Sequence, residues 1–313
     1  MPKSNLLQGV NYSIVDNDPA EREKVSLVIP CYNESANIEK HILAICYQQQ
    51  AISELGYDSE IIVVNDGSTD NTRHTLGAIP NIKVVHHLYN LGNGAAVKSG
   101  IRAATGKYVL LIDADGQHPP EEITGLLKCL ADGYDMVVAS RSSQCSTAKF
   151  RNVGNFMLKK FAGLLVEREI TDLTSGFRVV RRDLLLKYLK LFPNKYSYPT
   201  TITMCLLKAG YFVHFKEMHT IGKRATGKSH IRPFQDGLAF INIMFRITML
   251  FNPQKVFGTV ALLMLLLGAA MGCFQLITRG GLFGSSLLLL IISTYTFLFG
   301  LLADQVSAIR REI

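Results

Sequence analysis

Lys107-Tyr-Val-Leu-Leu-Ile-Asp-Ala-Asp-Gly-Gln-His-Pro-Pro120 is an apolar run that empties into an acidic turn. The run is short, aliphatic and unbroken, the pattern of a strand buried on both faces. Working outward, the pattern recurs. Val25-Ser-Leu-Val-Ile-Pro30, Glu60-Ile-Ile-Val-Val-Asn65, Ile82-Lys-Val-Val-His86 and Tyr134 to Ala139 are further candidate strands. Between them, Ala36 to Leu55 and Gly94 to Ala104 have helical spacing, and Ser35 stands where it can cap the first. Strands alternating with helices predict an α/β fold, with a mostly parallel sheet covered by helices on both faces. Such sheets bind ligands outside the carboxyl ends of their strands. Pro30, Asp66 and Asp113 all fall at such ends, so three polar clusters converge on one rim.

Asp113 and Asp115 give that rim its chemistry. A strand delivers Asp113, and Asp115 can turn toward the same cation while Ala114 takes little room. Carboxylate oxygens suit Mg²⁺ or Mn²⁺, which keep waters and bind substrate phosphates too. Gln117 adds a neutral oxygen, so the expected metal set is Asp113, Asp115 and Gln117. The alternative is a solvated acidic turn ahead of a helix that starts at Pro119-Pro120. Asn90-Leu-Gly-Asn-Gly94 permits a close backbone approach, and Lys98 could reach a phosphate or sugar; a glycine-rich loop of no special function is the competing account. No G-x-G-x-x-G follows the first strand and no G-x-x-x-x-G-K-[ST] occurs, so a nicotinamide enzyme and a P-loop enzyme are both unsupported.

The C-terminal third is different. Val256 to Ile277 and Gly280 to Ala303 contain no charged residue. At about 1.5 Å per residue, either stretch is long enough as a helix to cross a bilayer core of roughly 30 Å. Mean hydropathy for the 313-residue chain is +0.18 and net charge is +8. From Lys208 to Lys255 there are eight Lys/Arg against Glu217 and Asp236, and Arg310 and Arg311 follow the second span. Cations on both outer flanks predict a hairpin whose two ends lie in the cytoplasm. Met1 to Lys24 is polar and carries no secretory-signal pattern, and the six cysteines are scattered without metal-like pairing, as suits a reducing compartment. A nucleic-acid partner is not expected, because the basic stretch adjoins a membrane anchor and no recognisable nucleic-acid module. Arg232 to Asn252 has two open readings: a helix lying in the membrane interface, with Leu238, Ile241, Phe245 and Met249 on one face, or an ordinary helix packed on the catalytic domain.

Three motifs in order, Val25-Ser-Leu-Val-Ile-Pro-Cys-Tyr-Asn-Glu34, Val64-Asn-Asp-Gly-Ser-Thr-Asp70 and Asp113-Ala-Asp-Gly-Gln-His118, resemble the family 2 glycosyltransferases with the GT-A fold, over residues 25 to 230. Thr174-Ser-Gly-Phe-Arg178, Arg224-Ala-Thr-Gly-Lys-Ser-His230 and the terminal hairpin narrow the resemblance to the polyprenyl-phosphate, or dolichyl-phosphate-type, glycosyltransferases. The resemblance implies roles. Pro30, Tyr32 and Glu34 would line the nucleotide pocket, Val64 would pack on the base, and Asp66 would accept from its ring N–H. Asp113 and Ala114 would face the nucleotide sugar, with Gln117 beside them. Arg141, Arg151 and Asn155 would approach the acceptor phosphate. Arg178 could fix the loop after Ser175-Gly176. Arg224 and Lys228 would close over the diphosphate, with Lys228 or His230 standing in for a Ser-Lys pair that this sequence lacks. For Asp66 a turn-stabilising role remains the alternative.

The expected reaction is inverting transfer of a sugar from a UDP- or GDP-sugar to polyprenyl phosphate, undecaprenyl or dolichyl. A hydroxyl acceptor wants a carboxylate base, whereas a phosphate is already an anion. No Asp or Glu lies between Asp183 and Glu217, and the chain has no Trp, so the Gln-x-x-Arg-Trp motif of processive synthases is absent. Asp172 leaves a lipid or glycan hydroxyl acceptor as the alternative. The predicted organisation is a polar tail (1–24), a GT-A catalytic domain (25–231), an interfacial segment (232–254), a transmembrane hairpin (255–303) and a cytoplasmic tail (304–313). The membrane would be the bacterial inner membrane, or the endoplasmic reticulum in a eukaryote. Gly268, Ala269, Ala270 and Gly272 would allow close helix packing, within the hairpin or in a homo-oligomer.

Overall fold

The computed structural model describes residues 22–141, 160, 162–163, 165–195, 197–218, 233–279, 281 and 284–312. Its centre is a seven-stranded sheet in the order β3-β2-β1-β4-β6-β5-β7. The strands are β1 (Lys24–Cys31), β2 (Asp58–Asn65), β3 (Lys83–His86), β4 (Tyr108–Leu111), β5 (Met136–Arg141), β6 (Arg178–Arg181) and β7 (Val213–Met218). The five strands expected from the sequence are all present within a residue or two of their expected bounds. β6 and β7 were not anticipated. β6 carries Arg at both ends and β7 carries Lys216 and Glu217, so neither presents an unbroken aliphatic run.

β1 lies between β2 and β4 and pairs with both in parallel, Pro30 opposite Val64 and Val28 opposite Leu111. β6 alone runs antiparallel, pairing with β4 and β5. Its start therefore lies beside the end of β4, with Arg178 opposite Leu111. The turn that precedes β6 arrives at the same rim as Asp113.

Alternating side chains divide the core. Leu27, Ile29, Ile61, Val63 and Leu110 face α1 (Ile38–Glu54) and, after α2 (Thr72–Gly77), α4 (Glu122–Ala131). Val28, Ile62, Val64, Val109 and Leu111 face α3 (Asn93–Ala103), α5 (Arg182–Tyr188) and α6 (Tyr198–Lys208). Helices thus cover both faces. α1 starts after Asn37 and its first turn has no side-chain cap. The Ser35 amide instead donates to Asp70 Oδ2 at 3.1 Å, which ties the residue to the β2 loop rather than to the helix.

Three helices complete the chain: α7 (Pro233–Phe251), α8 (Pro253–Arg279) and α9 (Gly284–Glu312). In the C-terminal half of α7, Met244, Ile247 and Phe251 are buried in the core shared with α3 and α6. Phe245 is on another face and is 52% exposed, so one side of the helix packs on the catalytic domain and another stays open. α8 and α9 are long and apolar enough to cross a membrane, with Pro253–Thr278 and Gly284–Ile309 as the two spans. The second helix continues through the residues expected as a separate tail. Only 22% and 17% of the two spans is buried, so these are not core helices of the catalytic domain.

Candidate active site

The rim is assembled from the loops that leave β1, β2 and β4. Two of these loops are laced together. Asn33, at φ 54°, donates its amide to Ser68 Oγ at 3.0 Å, and the Thr69 amide returns to Asn33 Oδ1 at 2.8 Å. The Glu34 amide reaches Thr72 Oγ1 at 3.0 Å. Asp70 accepts from the amides of Ser35 and Thr72. Burial disfavours its charge, but bonds from Thr72 and Ser35 outweigh that and hold its pKa at about 2. Tyr32 and Glu34 reach the surface beside this lacework, while Pro30 is buried at the end of β1.

Asp66 makes turn-stabilising contacts, and Val64 lies in the core. Asp66 is 2% exposed. Its Oδ1 accepts from the Leu91 amide at 3.0 Å and meets His87 Nδ1 at 2.7 Å, and its Oδ2 accepts from the Gly92 amide at 2.8 Å. A carboxylate only accepts, so His87 carries its proton on Nδ1, and its Nε2 meets Ser99 Oγ at 2.8 Å. Asp66 therefore moulds the 87–92 loop. Gly67 lets that loop close, since a β-carbon there would lie 2.6 Å from Tyr89 Cα. Val64 is fully buried beneath α3, where a β-carbon at Gly100 would stand 3.2 Å from its Cγ2.

The backbone approach expected at 90–94 exists, but the visitor is the protein itself. The Gly94 and Ala95 amides donate to Lys195 O and Asn194 O, each at 2.8 Å. A β-carbon at Gly92 would lie 2.6 Å from Asn194 O, and one at Gly94 would lie 2.8 Å from Lys195 O. Lys98 donates to Phe192 O at 3.3 Å and to Asn194 Oδ1. The start of α3 is thus spent on the 192–195 segment.

Asp113 and Asp115 are half-buried at the end of β4. The Gln117 amide donates to Asp115 Oδ1 at 3.1 Å, which turns the loop. Below it sits His41 of α1, 7% exposed, on the apolar stripe of Ile38, Ile42 and Ile45. Burial pushes its pKa down, against the opposing pull of the Asp115 charge and of a hydrogen bond to the Asp113 main chain. Its neighbours make it part of the acidic loop, a role the sequence hid because a histidine on an apolar helix face reads as core.

The 172–178 turn closes the other side. His118 stacks on Phe177 with ring centres 5.2 Å apart. Arg178 is fully buried. It donates to Ser175 O (Nε, 3.1 Å, and Nη2), to Pro199 O at 3.0 Å and to Thr203 Oγ1 at 2.9 Å. Burial lowers its pKa to about 10, offset by nearby Tyr198, Asp172 and Asp113. Asp172, 3% exposed, accepts from the amides of Thr174 and Ser175 at 2.9 and 3.2 Å.

The donor set fits a hard divalent cation: two carboxylates and an amide oxygen on one turn, with no soft ligand. Among the described residues no third His, Cys, Asp or Glu joins the pair, so substrate phosphates and water would complete the shell. Arg141 closes β5 opposite Met218. Arg151, Asn155, Arg224, Lys228 and His230 lie outside the described residues.

The strand-end acidic pair thus sits beside the laced β1 and β2 loops on one rim of the sheet. The chain belongs to glycosyl transferase family 2, whose model matches residues 26–189. Residues 252–309 match the GtrB C-terminal hairpin. Among curated relatives, an uncharacterised glycosyltransferase of Synechocystis is 36% identical over 176 residues, 55% of this chain and 54% of the relative. The dolichol-phosphate mannosyltransferase of Pyrococcus furiosus is 32% identical over 219 residues, 67% of this chain and 59% of the relative. The chain thus spans less than two thirds of the length of these relatives. The fold is GT-A-like. Glucosyl-3-phosphoglycerate synthase from Mycobacterium tuberculosis, solved with Mn²⁺, UDP and phosphoglyceric acid, superposes with a TM-score of 0.57 at 20% identity, covering 72% of this chain and 78% of that one.

Proposed function

We propose that this chain transfers a sugar, with inversion, from a UDP- or GDP-sugar to polyprenyl phosphate at the cytoplasmic face of a membrane. One observation carries the reading: the acidic pair at the end of β4 and the apolar hairpin belong to one unit, joined by α7, which packs into the catalytic core. The first suits a nucleoside diphosphate and the second a lipid acceptor. A relative that is a dolichol-phosphate mannosyltransferase supports this acceptor class, and a fold neighbour bound to Mn²⁺ and UDP supports this donor class.

Asp113, Asp115 and Gln117 would hold Mg²⁺ or Mn²⁺, which when bound neutralises charge on the departing diphosphate. Pro30, Tyr32 and Glu34 would line the nucleotide pocket, and Asp66 would shape it through the 87–92 loop. An acceptor phosphate oxygen attacks the anomeric carbon, the bond to the donor diphosphate breaks, and the nucleoside diphosphate leaves. No proton has to be removed from the attacking oxygen. The state of Asp172 supports that choice, because its carboxylate is buried and engaged by its own turn. Arg141, Arg151 and Asn155 would hold the acceptor phosphate, with the bidentate reach of Arg. Arg224 and Lys228 would close over the diphosphate.

The test uses purified full-length protein in detergent with Mn²⁺, labelled UDP- and GDP-sugars, and undecaprenyl or dolichyl phosphate. The expected product is an acid-labile glycosyl phosphate lipid. Glycosylation of a hydroxyl acceptor, with neither lipid phosphate modified, refutes the acceptor assignment.

A further inference from the structure

We propose that Gly176 is a positioning residue for Asp113: by having no side chain, it fixes where that carboxylate stands. The inference rests on Asp113 as a metal ligand. A β-carbon at Gly176 would lie 2.8 Å from Asp113 Cγ and 3.0 Å from Oδ1, with Oδ2 nearer still. Ordinary contacts of this kind are roughly 3.5 Å, so the two groups cannot coexist where they are. The φ of Gly176 lies outside the left-handed region, so backbone conformation does not call for glycine. Space for the carboxylate does.

The turn cannot retreat to make room. Ser175 O is held by the buried Arg178 guanidinium, which is anchored in turn to Pro199 O and Thr203 Oγ1. Gly176 O accepts from the buried Tyr198 hydroxyl at 3.4 Å. Phe177 is fully buried and its ring meets His118, four residues beyond Ala114. With the turn pinned from α6 and from the acidic loop, the movable partner is the carboxylate. A methyl group at 176 would push it aside by about 1 Å or more, beyond the roughly 0.5 Å that a metal geometry tolerates. Because a short side chain yields rather than the backbone, the fold should survive.

The experiment measures Mn²⁺ affinity by electron paramagnetic resonance of the free ion, on full-length protein with UDP or GDP present. Thermal melting is recorded in parallel. Gly176→Ala should weaken Mn²⁺ about 10-fold or more, the usual scale for losing support of a ligand, with melting nearly unchanged. Tyr198→Phe, which removes only the hydroxyl, should weaken it roughly threefold. Ile202→Val, a core change on α6 away from the turn, should lower melting and leave the affinity alone. Wild-type affinity in Gly176→Ala overturns the proposal. Should that variant not fold, unchanged affinity in Tyr198→Phe overturns it. A wild-type protein that binds the nucleotide but no Mn²⁺ removes the metal reading itself, a result distinct from equal affinities across the variants.

Discussion

At the rim of the sheet, Asp66 gives its carboxylate to two main-chain amides and an imidazole; along the hairpin, Gln275 and Ser293 each reach the facing helix. Ser286 donates to Gln275 Oε1 at 2.8 Å, Gln275 donates to Ser285 Oγ at 3.1 Å, and Ser293 donates to Ala261 O at 2.7 Å. Gly268 packs against Leu289 and Leu290 of the same hairpin, so this small residue serves an intrachain contact. The large side chains face outward, Leu263 at 58% and Leu267 at 62% exposure. The difference follows from where backbone polar groups find partners. Helices satisfy their own, so a membrane pair needs few ties. Irregular loops do not, and at the rim side chains such as Asn33, Asp66 and Asp70 accept from loop amides. Rim substitutions should act through geometry, whereas hairpin substitutions should act through weak packing.

That contrast can be broken at either end. Asp115→Ala has the largest expected effect: turnover falls about 10³-fold while melting is unchanged, as for a charged group that serves the transition state. Full activity would remove the acidic pair from the mechanism. Asp66→Ala comes next, because it strands several buried donors. A stability loss of about 2–3 kcal/mol by denaturant titration is expected, with a raised KM for the sugar nucleotide. Acid should act more gently. The folded pKa of Asp70, about 2, lies below its ordinary 3.8, so its contribution is whole above 3.8 and is lost as pH falls toward about 2. Protection of the Ser35 amide, taken relative to its intrinsic exchange rate at each pH, should fall across that window, and Asp70→Asn should flatten the response. Gln275→Leu is the smallest, near 0.6 kcal/mol by melting in nanodiscs. A loss several times larger would mean that the hairpin is built like the rim.

The aliphatic runs made five strands, the helical cover and the acidic turn readable from sequence, because burial on both faces leaves a compositional mark. β6 left none: two valines between two arginines look like a loop, and pairing with β4 and β5 makes them a strand. At the site, residue types indicated which groups mattered but not what each faced. For Asp66 and the 90–94 loop the sequence leaves a ligand-facing and a structural role both open, and the structure shows partners in the 87–92 and 192–195 segments, distant contacts that no local pattern encodes. Gly176 was visible as a motif letter, and its purpose depended on a neighbour more than sixty positions upstream.

The reversed direction of β6 has one more consequence. Because Arg178 begins β6 opposite Val138, near the end of β5, the chain leaves the sheet and re-enters it on the same edge. Residues 165–177, which rejoin the sheet there, carry Val166, Ile170, Leu173 and Phe177 into the core, so the return to the rim is built into the fold. Any refitting of that return is felt on the donor side, because it ends in the turn whose Gly176 stands against Asp113.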